Sequence, residues 1–137
     1  METEQRVTAN LVMDAEWLDG ILLVRISGEL DNRSAHRLGE RVRERLEGVG
    51  DGPWRVILDL GDVAFIDSSG LGVIAGLWKA ATRGGGDLAV ARPPRLAQIM
   101  LRRTGLDGYI HVAASVPSAT RHLSEGSALP VQRRSAG

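Results

Sequence analysis

Polar and apolar positions in this chain switch between two periods. Ile21-Leu22-Leu23-Val24-Arg25-Ile26-Ser27 is a short apolar run behind the turn dipeptide Asp19-Gly20, which predicts a hairpin strand. The stretch before it, Val7 to Leu18, is strand-like but ragged. From Ser34 to Leu46 the period changes: Ala35, Leu38, Val42 and Leu46 recur at helical spacing with charged residues between them, an amphipathic helix. Gly48, Gly50, Gly52 and Pro53 interrupt the chain ahead of Trp54 to Leu60, whose consecutive apolar residues suit a central strand covered on both faces.

Beyond Gly61 and Asp62, Val63-Ala64-Phe65-Ile66 leads into Asp67-Ser68-Ser69-Gly70, then a second helical pattern through Leu71, Ile74, Ala75, Trp78 and Ala81. Gly84-Gly85-Gly86 ends that helix, and Leu88 to Ala91 predicts a short strand. Pro93-Pro94 opens a third helix carrying Leu96, Ile99 and Met100, closed by Gly105. Tyr109 to Val112 predicts a last strand, and Pro117 opens a final helix with Ala119, His122 and Leu123. Apolar runs alternating with helical patterns place the chain in the α/β class. The pattern divides it into a flexible N-terminal segment (1–10), one domain (11–125) and a flexible C-terminal tail (126–137) rich in Ser, Gly, Ala and Arg.

Composition narrows the function. A length of 137 residues suits a single core. The 17 basic and 17 acidic residues cancel, which argues against a general nucleic-acid or anionic-membrane binder, since those carry a basic excess. There is no cysteine, hence no disulfide framework or thiolate chemistry, and no apolar stretch of signal-peptide or membrane-spanning character. The expected location is the cytoplasm.

Catalytic chemistry finds few candidates. His36, His111 and His122 fall on three different elements and share no spacing that would join two of them on a metal or beside a nucleophile. Ser68 and Ser69 lack the Gly-x-Ser-x-Gly elbow of a hydrolase, and Gly84-Gly85-Gly86 follows a helix and lacks the Lys-Ser/Thr of a phosphate-binding loop. The expectation is a non-enzymatic binding protein with no metal and no cofactor. Asp67-Ser68-Ser69-Gly70 stands apart because it sets two hydroxyls at a helix N-terminus. On local sequence alone, helix capping without regulation is the favoured account of it. Gly70, without a side chain, would let another protein's backbone approach the serines.

Phe65-Ile66-Asp67-Ser68-Ser69-Gly70-Leu71-Gly72 resembles the phosphorylation-site signature of STAS-domain anti-sigma factor antagonists. Ile26-Ser27-Gly28-Glu29-Leu30-Asp31 resembles the segment that lies beside that serine in the family, and the order of elements from Leu11 to Leu123 matches. The resemblance implies a mixed sheet of four to five strands, with about four helices packed mainly on one face. It implies Ser68 as phosphoryl acceptor, with Ser69 its neighbour, and a partner-facing surface of Glu29, Leu30, Asp31, Asp67, Ser68, Ser69, Gly70 and Leu71. The implied partner is an anti-sigma factor that is itself a serine kinase holding the ATP; a phosphoserine phosphatase resets the switch, and the sigma factor is affected only indirectly. A STAS-like scaffold in a stress-signalling or transport assembly, without phosphorylation, is the second reading, and a small hydrolase using Ser68 or Ser69 the third.

Overall fold

The computed structural model describes residues 4–50 and 52–125. The chain order is β1 (Glu4–Thr8), β2 (Leu11–Leu18), β3 (Ile21–Leu30), α1 (Ala35–Glu47), β4 (Arg55–Ile66), α2 (Ser68–Arg83), β5 (Asp87–Ala91), α3 (Arg95–Thr104), a 3-10 turn (Leu106–Gly108), β6 (His111–Ala113) and α4 (Val116–Glu125). One six-stranded sheet holds the strands in sequence order. The β1–β2 and β2–β3 pairs are antiparallel, and β3 through β6 are parallel, as the helical crossovers between them require. The sheet is therefore mixed, as expected, with six strands in place of four to five.

The extra strand comes from the ragged N-terminal pattern. A turn at Ala9-Asn10 splits it into β1 and β2, without the glycine or proline that would have marked a break. Glu4–Thr8, assigned by pattern to a flexible segment, pairs with β2 because Val7 buries its side chain while its neighbours face outward. The tail, 126–137, lies outside the described residues.

The two faces of the sheet are covered differently. On one, Leu22, Val24 and Ile26 of β3 and Val56, Leu58 and Leu60 of β4 pack against buried residues of α1, α2 and α3. On the other, Ile21, Leu23, Ile57, Ala89 and Ala91 meet Ala119 and Leu123 of α4. Burial on both sides is why β4 and β5 read as unbroken apolar runs. The helix pattern was less exact at α3, where Ala97 and Leu101 are buried and Leu96 is exposed.

The run after Gly61 belongs to β4 itself. This twelve-residue strand passes through Gly61, with a register shift against β3 between Arg25 and Ser27. Gly61 has no side chain because the Arg92 guanidinium occupies that space, bonded through Nε and Nη2 to Asp59 at 2.9 and 3.0 Å. The strand consequently runs on past the end of β5 and delivers its last residues beside the end of β3.

Candidate functional site

The site is built where β4 turns into α2. Asp67 is extended (φ −122°) and caps the helix: its Oδ1 accepts from Ser69 N–H at 2.8 Å and Gly70 N–H at 3.3 Å. Its own N–H donates to Leu30 O at 3.2 Å, tying the helix start to the end of β3. Ser68 is the first helical residue and is exposed; Ser69, the second, is half-buried. The hydroxyl most accessible to a second protein is thus that of Ser68, at the positive end of a 16-residue helix.

Gly70 has a different role from the one its sequence context suggested. A Cβ there would lie 2.5 Å from Leu30 O and 2.8 Å from Leu30 Cγ, so the close approach it permits is that of the chain's own β3. Gly72, one turn on from Ser68, is exposed with open space at the Cβ position, and is the glycine a foreign backbone can approach.

The neighbouring β3–α1 segment is held by a dense set of bonds. Glu29 N–H donates to Asn10 O at 2.9 Å, and Gly28 (φ 114°) leaves room for that carbonyl. Asp31 is buried; its carboxylate accepts from Asn10 Nδ2, from Arg33 N–H at 2.9 Å and from Arg33 Nη2 at 2.7 Å. The hydrogen bond from the Arg33 side chain, chiefly, lowers the Asp31 carboxyl to about 2, outweighing the upward push of burial. Ser34 Oγ donates to Glu29 O at 2.7 Å.

These contacts sort the eight surface residues expected from sequence. Leu30 (0% exposed), Asp31, Gly70 and Leu71 (5%) lie beneath the surface and support it, because the helix start packs directly on the end of β3. Ser68 is exposed, and Glu29, Asp67 and Ser69 are half-buried. Beside them stand two residues the pattern did not assign: Phe65 (45% exposed), register partner of Glu29, and Arg33, 3.7 Å from the Glu29 carboxylate. An exposed phenylalanine within the serine motif was the available signal for the first; nothing in the sequence marked the second.

The histidines depart from expectation. His36 is exposed on α1, but His111 and His122 stack face to face, ring centroids 3.7 Å apart and planes 4° off parallel. The crossover that brings α4 back over β5 and β6 unites two residues eleven apart in sequence. Asp87 Oδ2 lies 3.7 Å from His122 Nε2. Among the described residues no group of three or more His, Cys, Asp or Glu could hold a metal ion.

Residues 12–119 match the family described as the STAS domain. This chain is a STAS-domain protein of the anti-sigma factor antagonist family. It is 37% identical over 87 residues to the anti-sigma F factor antagonist of Paenibacillus polymyxa, covering 62% of this chain and 73% of that one. Its fold is similar to that of an anti-sigma factor antagonist from Mycobacterium paratuberculosis (TM-score 0.73, 22% identity, 84% of this chain and 95% of that one). It is also similar to the Bacillus cell fate determinant SpoIIAA in its phosphorylated form (TM-score 0.62, 19% identity, 80% and 97%). No described helix of this STAS protein is long and apolar enough to cross a membrane.

Proposed function

We propose that this protein is an anti-sigma factor antagonist that acts by partner switching. Unphosphorylated, it binds an anti-sigma factor with serine-kinase activity and so releases the sigma factor; phosphorylation of Ser68 ends that binding. The reading is carried by one observation: Ser68 is an exposed hydroxyl at the first position of a helix whose preceding residue, Asp67, already satisfies the cap. The hydroxyl is left for chemistry.

In the proposed step Ser68 Oγ attacks the γ-phosphorus of ATP held by the partner. The Oγ–P bond forms, the bond to the ADP oxygen breaks, and the hydroxyl proton passes to a base of the kinase. A phosphatase returns the serine by hydrolysis. This chain contributes a positioned acceptor and no cofactor.

Magnitudes favour a switch of binding over a switch of fold. About −1.5 to −2 charges at a helix N-terminus gain up to about 2 kcal/mol, and the Asp67 carboxylate opposes this by repulsion. Placed in a closed interface, the same charge costs roughly 2–5 kcal/mol, which is tens- to thousands-fold in affinity. Phe65 supplies an apolar anchor beside the serine, and Glu29 and Arg33 a polar rim.

The test is mass spectrometry of the protein incubated with ATP and each candidate anti-sigma kinase from its own genome. One phosphate on Ser68, absent from Ser68→Ala and retained in Ser69→Ala, is the expected result. No phosphate with any active kinase would overturn the switch and leave the scaffold reading.

A further inference from the structure

At the end of α2 away from Ser68, three cations meet without a carboxylate. Arg43 and Arg83 line a concavity of about 350 Å³ walled by Trp54, and Arg83 with Lys79 and Thr82 lines a second of about 300 Å³. Arg83 belongs to both, so the two form one strip across α1 and α2. No acidic side chain among the described residues lines either. By helix rise the strip ends about 22 Å from Ser68.

The fold does not use these charges. The side chains of Arg43, Lys79 and Arg83 make no ion pair among the described residues, although Glu40 and Glu47 flank Arg43 one turn away on α1. Glu40 is paired with His36 and Arg37 instead. The Arg43 guanidinium reaches α2, where its Nη2 lies 3.7 Å from the position a Cβ on Gly76 would take. Lys79 and Arg83 stand at i and i+4, a like-charge spacing that destabilises a helix. The Ala81 and Thr82 carbonyls already accept from Gly86 and Gly85 N–H, so the helix end does not call for Arg83 as a cap. Trp54, half-buried and held by a hydrogen bond from its Nε1 to Gly50 O at 3.2 Å, gives the strip a fixed wall.

The ligand these groups fit is anionic, with its charge spread out. The strip includes the C-terminal end of α2, whose partial negative charge disfavours a compact polyanion. Carboxylates spaced along a peptide meet the two guanidinium forks and the ammonium one by one. Side chains two residues apart on an extended peptide stand about 6.6 Å from each other, close to the roughly 5–6 Å between positions i and i+4 of a helix. We propose that Arg43, Lys79 and Arg83, against the wall of Trp54, form a docking site for an acidic peptide segment of a partner protein. The site is separate from Ser68, so it stands or falls apart from the phosphoswitch.

The test titrates an octa-glutamate peptide into the full chain and reads NMR signals of the Trp54 indole N–H and the Ala80 to Gly84 amides. Saturating shifts at these signals are expected, lost in about 1 M salt, where the screening length falls to about 3 Å. Arg43→Gln with Arg83→Gln should weaken the Kd about tenfold without moving the thermal melt, and Lys79→Glu should also weaken it. Arg103→Gln with Arg121→Gln, exposed arginines of α3 and α4, should leave it unchanged. Absent shifts, an unchanged Kd in the Arg43 and Arg83 variant, or equal weakening in the α3 and α4 variant overturns the site. Pyrophosphate bound more tightly than the peptide at the same signals overturns the peptide reading and assigns a phosphate ligand.

Discussion

The two strand-to-helix junctions at this end of the sheet solve one geometric problem in opposite ways. Between β3 and α1, Asp31, Arg33, Asn10 and Ser34 are joined by hydrogen bonds, and the N-cap residue Ser34 uses its hydroxyl on the Glu29 carbonyl of β3. Between β4 and α2, a single carboxylate, Asp67, caps the helix, and the next residue is an exposed serine. The first junction spends its polar groups internally; the second leaves one outward. A rigid neighbour beside an accessible hydroxyl is what a modification switch needs, since the modified residue can change a surface without undoing the fold.

That contrast can be broken at either junction. The largest expected effect is Ser68→Asp, which should raise the Kd for the anti-sigma factor by tens- to thousands-fold in a calorimetric titration while leaving the thermal melt nearly unchanged. A collapsed melt would make Ser68 structural. Next, Gly70→Ala should destabilise the domain by about 1–3 kcal/mol in urea unfolding, because its methyl meets the Leu30 carbonyl. Asp67→Ala should cost about 1 kcal/mol by removing the cap, with no change at the β3–α1 junction.

A subtler probe addresses the rigid junction. The Asp31 carboxyl is held below its ordinary value of 3.8, at about 2, so the stability it contributes is complete above pH 4 and lost as pH falls toward 2. Asp31→Asn should abolish that slope of stability against pH in that window alone. The smallest effect belongs to Ser68→Ala, expected within about 0.5 kcal/mol of the parent in urea unfolding, since its side chain makes no cap bond.

Much of the domain was legible before any coordinates. The helical spacing of Leu38, Val42 and Leu46 and the apolar runs around Ile57 and Val90 gave the correct elements, because periodicity records which side of an element meets the core. The serine motif placed a helix start at Asp67-Ser68, where α2 begins. What failed depended on residues far apart in sequence: Leu30 beneath Gly70, Arg92 filling the space of Gly61, and His111 against His122.

By itself, then, the sequence determined the α/β class, the position of most elements and the serine at the head of α2, all of which are local properties of period and capping. Only the tertiary structure decided which residues of the two motif blocks face solvent and which support them, and that β1 completes the sheet. Those outcomes depend on packing between distant segments, and a one-dimensional pattern carries no record of what fills the space beside a glycine.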